Sequence, residues 1–174
     1  HDLLSERENL TTQVQRDALT QLASRQYLLD VLTQHIEQAV TKQSDLTVAM
    51  ADLDHFKDIN DSLGHLVGDR VLKEVAHRIT TSVRDKDLIG RYGGEEFLLI
   101  FPDTSLQVAQ QVAERIRQHI ARTPIHLQEQ SIPITISIGL THFNSDDELE
   151  SLLQRADNAM YAAKQAGRNC IRSL

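Results

Sequence analysis

Leu88-Ile89-Gly90-Arg91-Tyr92-Gly93-Gly94-Glu95-Glu96-Phe97-Leu98-Leu99-Ile100-Phe101 decides the fold. Two strand-like runs flank a Gly-Gly pair, and a two-glycine link between such runs predicts a tight β-hairpin. The pair leaves the turn without side chains, so a ligand can approach its backbone N–H groups, as phosphate-cradling turns require. Glu95 and Glu96 follow at once. Hard carboxylate oxygens there can hold a divalent cation that neutralises phosphates. Taken alone, the stretch also suits an exposed hairpin carrying solubilising acids, so the rest of the chain must choose.

Working outward, Val67, Val71, Leu72, Val75, Ala76, Ile79 and Val83 mark an amphipathic helix before the hairpin. Upstream of it, Leu46 to Leu53 is a short apolar run closed by Asp52 and Asp54, which predicts a buried strand ending in acid. From Arg25 to Lys42, Leu28, Val31, Leu32, Ile36, Ala39 and Val40 follow helical spacing until Ser44-Asp45 breaks it. After the hairpin, a helix is expected from about Leu106 to Ala121. Ile132 to Thr141 reads as a half-buried strand, because Ile134, Ile136 and Ile138 alternate with Thr135 and Ser137. A last helix near Asp147 to Gln165 ends at Gly167, and a short strand follows. This order predicts an α+β fold, a mostly antiparallel central sheet with helices packed around it. If the first strand lies antiparallel to the second hairpin arm, Asp52 finishes where Glu95 begins, although 43 residues separate them in sequence.

At 174 residues the chain is one domain or a domain with an appendage, long enough to bury roughly 70% of its unfolded surface. Its 25 acidic and 18 basic residues give a net charge of −7, which disfavours a nucleic acid polymer but leaves a small nucleotide open. The single cysteine, Cys170, excludes an intrachain disulfide and suits a reducing cytoplasm. The eight histidines lack the paired spacing of a zinc site. No apolar run approaches the roughly 20 residues of a membrane span, so no membrane contact is expected of this stretch. A start at His1 suggests a fragment of a longer protein. Leu3, Leu10 and Val14, among Glu6, Arg7 and Glu8, have weak heptad-like spacing that fits either a coiled-coil linker or an exposed polar helix. Residues 1–16 are therefore read as the end of an upstream linker helix and 17–174 as the domain.

Asp52-Leu53-Asp54-His55-Phe56-Lys57-Asp58-Ile59-Asn60-Asp61, followed by Gly64-His65 and Gly68-Asp69, closely resembles the nucleotide-binding segment of the GGDEF family of diguanylate cyclases. Gly93-Gly94-Glu95-Glu96-Phe97 resembles that family's namesake motif in its Glu-Glu form. Further matches are Asp17-Ala18-Leu19-Thr20, Ala113-Glu114-Arg115-Ile116-Arg117, Ser137-Ile138-Gly139, Ala156-Asp157, Tyr161-Ala162-Ala163-Lys164 and Gly167-Arg168-Asn169, in family order. The resemblance implies a ferredoxin-like, palm-type sheet.

It also implies a reaction: two GTP molecules condense to cyclic di-GMP with release of two pyrophosphates. Two Mg²⁺ ions per GTP, with Mn²⁺ as a substitute, would be held by Asp52, the Leu53 carbonyl and Glu95. Glu95 would be the central catalytic residue and Glu96 its support. Such ions polarise an α-phosphate, stabilise the leaving pyrophosphate and lower the pKa of a 3′-hydroxyl. The guanine base would fall to Asn60 and Asp69, since an amide and a carboxylate complement guanine but not adenine. His55, Phe56, Lys57, Lys164 and Arg168 match positions that contact phosphates. Lys164 and Arg168 would share a side if their helix ran through Gly167. Arg84 and Asp87 fit the Arg-x-x-Asp pattern that binds cyclic di-GMP and restrains turnover in many relatives, and Arg115 matches a position that joins that site in some.

Each domain would present its GTP to a second copy, so activity requires a homodimer governed by an upstream sensor region. The fragment is placed in the cytoplasm, and the full-length protein could be membrane-anchored. A non-catalytic GTP or cyclic di-GMP receptor is the alternative. Another cyclase or polymerase-like palm domain would share the carboxylates but not the Asn60/Asp69 pair. Two positions depart from the family pattern: Gln21 stands where glycine is usual and Ser24 where asparagine is common. Both put the turn before the first long helix in doubt.

Overall fold

The computed structural model describes residues 3–7 and 15–174. Residues 3–7 are helical, while Glu8, Leu10 and Val14 of the heptad-like stretch lie outside the described residues. The eight-residue strand β1 (Leu46–Leu53) runs through the middle of the molecule. It pairs antiparallel with β3 (Glu96–Pro102) on one side and with β6 (Ile136–His142) on the other. β2 (Leu88–Arg91) pairs antiparallel with β3, and β7 (Ile171–Ser173) pairs parallel with β6, giving the order β2-β3-β1-β6-β7. The mostly antiparallel sheet and the expected β1–β3 pairing are both present. Asp52 stands opposite Glu96, so the acidic ends of the two strands meet.

Helices cover both faces of the sheet, so β1 is apolar without alternation. On one face Ala49, Ala51, Leu53, Phe97, Leu99, Phe101, Ile136 and Ile138 pack against α3 (His65–Ser82) and α4 (Leu106–Arg122). On the other, Leu46, Val48, Met50, Leu98 and Ile100 pack against α1 (Arg25–Lys42) and α5 (Leu149–Gln165). Successive strand residues point to opposite faces. Ser137, Gly139 and Thr141 therefore form a row of small residues on the α5 side of β6. α5 lies so close to this row that a Cβ on Gly139 would stand 1.9 Å from the backbone nitrogen of Met160.

Two sequence expectations need correction, and the structure decides two further points. The link between β2 and β3 is four residues, 92–95, rather than two, and neither Gly93 nor Gly94 has a positive φ. Tyr92 and Gly93 both donate N–H to the Glu96 carbonyl, at 2.8 and 3.3 Å, which closes a wider loop. The helix expected from Val67 is preceded by a separate one, α2 (Phe56–Leu63). Gly64, at φ 89°, divides it from α3, a conformation that glycine adopts without steric cost. The strand expected over Ile132–Thr141 is split: Ile132 closes a small hairpin of β4 (Ile125–Leu127) and β5 (Gln130–Ile132), and β6 begins only at Ile136. Pro133, which has no N–H to give a ladder, lies at the break. Lys164 and Arg168 do not share a helical side, because α5 ends at Gln165 and Gly167, Arg168 and Asn169 all have positive φ.

The turn placed in doubt by Gln21 and Ser24 forms. Asp17 accepts from the Thr20 backbone N–H at 2.8 Å and from the Thr20 hydroxyl at 2.7 Å, while Ser24 caps α1 by accepting the Tyr27 N–H at 3.3 Å. Gln21 is held at φ 61°, where glycine is unstrained. Gln21→Gly should therefore raise stability by up to about 1 kcal/mol, read as a higher urea midpoint, and a lower midpoint would contradict this account. Gly139→Ala should do the opposite. The added methyl meets helix backbone rather than a flexible side chain, so a loss of about 3 kcal/mol or more is expected in urea denaturation.

Candidate active site

At one end of the sheet the chain concentrates acid. Asp52 ends β1 opposite Glu96, and the Leu53 N–H donates to the Glu95 carbonyl at 3.3 Å, tying the hairpin loop to the strand. Burial raises the pKa of Glu95 above the ordinary carboxyl value, and the charge of Asp52 raises it further. Glu96 is raised by burial and by Asp52 and Asp157, and Asp52 by burial, with Asp54 and Asp157 adding to it. Like charges crowded in this way favour a bound cation. A Cβ on Gly93 would sit 2.8 Å from the Glu96 carboxylate, so the first glycine makes room for that side chain, while Gly94 faces open space.

One internal cation already answers the crowding. The Lys164 ammonium, projecting from the last turn of α5, lies 2.8 Å from Asp52 Oδ1 and 2.8 Å from Asp54 Oδ1. It also donates to the carbonyls of Asp52 and Leu53, each at 3.3 Å. Asp52 and the Leu53 carbonyl thus converge on a positive charge, and Glu95 stands close enough for both Asp52 and Lys164 to shift its pKa. Among the described residues no group of three or more His, Cys, Asp or Glu gathers as a metal site. Two carboxylates and a carbonyl, all hard oxygen donors, remain a set that suits Mg²⁺.

Asp54 was not among the expected site residues, yet it is the most completely bonded acid in the region. Its side chain is fully buried. Burial pushes its pKa up, and hydrogen bonds from Lys164, Thr135 and Ser137 more than offset that, leaving it below the ordinary value. Arg91 and Asp17 were missed as well. Arg91 Nη1 reaches both Asp17 oxygens at 3.3 and 3.4 Å, and its Nε and Nη2 donate to the Gly94 carbonyl at 3.1 and 2.8 Å. The turn before α1 therefore braces the glycine loop, which no local pattern in either segment reveals.

The α2–α3 corner lies beyond the Asp52 end of β1. His55, at φ 56°, starts α2 with its carbonyl accepting from Asp58 N–H at 3.1 Å, while its exposed imidazole lies 3.6 Å from Asp58. Phe56 is a core side chain, so only its N–H can meet a phosphate; it and Lys57 occupy the first turn, where their own N–H groups have no intrahelical partner. The Lys57 ammonium is exposed, 3.4 Å from Asp61. Asn60 Oδ1 is buried without a hydrogen-bond partner, and a Cβ on Gly68 would lie 1.9 Å from it. Asp69 follows Gly68 on α3 and is exposed. Arg168, exposed at φ 65°, follows α5.

Arg84 and Asp87 lie at the opposite end of β2 from the glycine loop. They form a closed pair: Arg84 Nη2 meets Asp87 Oδ1 at 2.7 Å, Nε meets Oδ2 at 3.0 Å, and Nη2 also donates to Thr104 Oγ1 at 2.9 Å. The Asp87 carboxylate is fully buried, whereas the Arg84 side chain keeps 30% exposure. Both line a groove of about 640 Å³ with Arg16, Lys73 and His77. Arg115 is not in that groove. Its Nε donates to the Ser82 carbonyl at 2.8 Å, and it lines a shallow depression on α4 instead.

Comparison with known proteins matches this arrangement. The family model described as the diguanylate cyclase GGDEF domain covers residues 14–170. Diguanylate cyclase DgcP of Pseudomonas aeruginosa is 43% identical over 153 residues, 88% of this chain and 23% of that protein. The response regulator PleD of Caulobacter vibrioides is 42% identical over 158 residues, 89% of this chain and 35% of that protein. Among solved structures, the coiled coil and GGDEF domain of DgcB from Caulobacter crescentus in complex with c-di-GMP superposes with a TM-score of 0.95. It is 31% identical and covers 99% of this chain and 92% of that one. The active GGEEF domain of a diguanylate cyclase from Vibrio cholerae gives 0.83 at 33% identity, covering 88% and 97%. The chain spans well under half the length of the curated relatives.

Gly68→Ala tests the corner between α2 and α3. The methyl must displace the Asn60 amide, so GTP affinity measured by calorimetry should fall roughly tenfold with little change in melting temperature. Unchanged affinity would remove Asn60 from the site.

Proposed function

Since the chain belongs to the GGDEF family of diguanylate cyclase domains, we propose that it condenses two GTP molecules into cyclic di-GMP and two pyrophosphates. The observation that carries this reading is that Asp52 and the Leu53 carbonyl meet on the Lys164 ammonium at the sheet end where the Glu95 backbone is tied to Leu53. Asp52, the Leu53 carbonyl and Glu95 would hold Mg²⁺, two ions per GTP with Mn²⁺ as substitute, and the metal would supply Lewis-acid stabilisation of charge on the attacked α-phosphate and the leaving pyrophosphate.

The chain's own residues do the rest. Asn60, with its unpartnered buried oxygen, and Asp69 read the guanine donors. The N–H groups of the first turn of α2, with the Lys57 ammonium, line the phosphates, and His55 sets the start of that helix. Lys164 and Arg168 approach the phosphates from the α5 end. Glu95 stands beside Asp52 to accept the proton of the 3′-hydroxyl, and Glu96 supports it. The 3′-oxygen forms a bond to the partner nucleotide's α-phosphorus as the bond to the β-phosphate oxygen breaks, and the exchange happens twice across a two-fold homodimer. Residues 17–174 form the catalytic domain, and the segment before them would join it to an upstream sensor region. Arg84 and Asp87 bind the product and restrain turnover, with Arg115 entering only if it leaves the Ser82 carbonyl. GTP supply places the reaction in the cytoplasm. Among the described residues no helix is long and apolar enough to cross a membrane.

Incubation with GTP and Mg²⁺, with ATP as control and products identified by mass, should yield cyclic di-GMP and pyrophosphate from GTP alone, and chelation of the metal should stop it. Glu95→Gln should cut turnover at least a hundredfold without lowering the melting temperature. Tight GTP binding without turnover at high protein concentration would favour the receptor instead.

A further inference from the structure

Asp54 takes no part in the metal set or the base contacts, yet its carboxylate joins three separate segments of the site. Thr135 Oγ1 and the Asn169 N–H donate to Oδ2 at 2.7 and 3.0 Å, while Ser137 Oγ and Lys164 Nζ donate to Oδ1 at 2.7 and 2.8 Å. Two donors on each oxygen use the acceptor capacity of a carboxylate. Its side chain has no exposure to solvent, so nothing can bind it without displacing one of these donors. Its own N–H donates to the Thr135 carbonyl at 2.9 Å, fixing the carboxylate at the mouth of β6.

What it holds is the phosphate-facing end of the site. The segment after α5 carries three successive positive φ values, 110° at Gly167, 65° at Arg168 and 47° at Asn169, and the last two are unfavourable for residues with a Cβ. Such a segment persists only where its surroundings fix it. Here the Asn169 N–H is bound to Asp54, the Asn169 side-chain oxygen accepts from Arg117 Nη1 at 2.9 Å, and the Arg168 N–H donates to the Ala163 carbonyl at 3.1 Å. The flexible Lys164 side chain would otherwise lose rotamer freedom on being ordered, and a buried anion fixes its ammonium in advance.

We propose that Asp54 is the positioning residue of the phosphate site, a buried carboxylate that holds the Lys164 ammonium and the Arg168 loop in register for the triphosphate. This rests on the assignment of Lys164 and Arg168 to the phosphates. Asp54 acts through those two cations and touches neither nucleotide nor metal. Loss of its charge therefore weakens what the phosphates contribute and leaves the contribution of the guanine intact.

The test measures GTP and guanosine affinities by calorimetry, with Mg²⁺ present, for wild type, Asp54→Asn, Lys164→Met and the double variant. Asp54→Asn should weaken GTP roughly tenfold or more and leave guanosine unchanged, and the double variant should lose at least several-fold less affinity than the product of the two single losses. Ser137→Ala, which removes one donor from the same oxygen as Lys164, should give a smaller loss of the same kind and supplies the answer if Asp54→Asn does not fold. Equal losses for GTP and guanosine, or fully additive losses in the double variant, would overturn the proposal in favour of a general packing role. A shift in the Mg²⁺ concentration needed for GTP binding that persists in the Lys164→Met background would overturn it in favour of a metal ligand. Wild type that binds guanosine and GTP equally would instead overturn the assignment of Lys164 and Arg168, and the proposal with it.

Discussion

The structure depends on how negative charge is gathered at one end of a buried sheet and kept there. Asp52, Asp54, Glu95, Glu96 and Asp157 are gathered at that end, and burial, reinforced by their neighbouring charges, raises the pKa values of Asp52, Glu95 and Glu96. Partly buried carboxylates in such proximity oppose folding unless something positive offsets them. Lys164 is that offset within the chain itself, and Asp54 is the partner that holds it. The remaining excess of acid leaves hard oxygen donors at that end.

Bringing a lysine from the far end of the chain to this point requires α5 to lie unusually close to the sheet. The row Ser137, Gly139 and Thr141 on β6 provides the room, and at Gly139 helix backbone occupies the space that any larger residue would need. Two of the three small residues also do polar work: Ser137 donates to Asp54, and Thr141 donates to the Leu174 carbonyl. Packing and chemistry are therefore linked at single positions. A change that moved α5 outward by an ångström would loosen the Lys164 contacts with Asp52 and Asp54 together.

Much of this was legible in the chain. The apolar run of β1, the hairpin and the helical spacing of α1, α3, α4 and α5 follow from side-chain periodicity, which reports burial directly. The split of α2 from α3 at Gly64, the break at Pro133 and the four-residue loop were misjudged, because each turns on backbone conformation rather than on apolar pattern. Among site residues, the acids beside glycines stood out in the motifs. Asp54 and Asn169 lay within the motifs and Arg91 beside one, but their roles were not legible there, since the partners that define those roles lie 74 to 115 residues away.

Sequence by itself determined that β1 would end in acid, because periodicity is a local property, while its resemblance to GGDEF domains supplied the residues expected at a metal and a guanine nucleotide. Tertiary structure alone decided that Arg115 is bound to the Ser82 carbonyl and does not line the Arg84 groove, that the Asn60 oxygen sits against Gly68, and that Asp54 is saturated while Asp52 is not. Whether a carboxylate is free to act depends on how many donors the fold brings to its oxygens, and segments distant in sequence supply them.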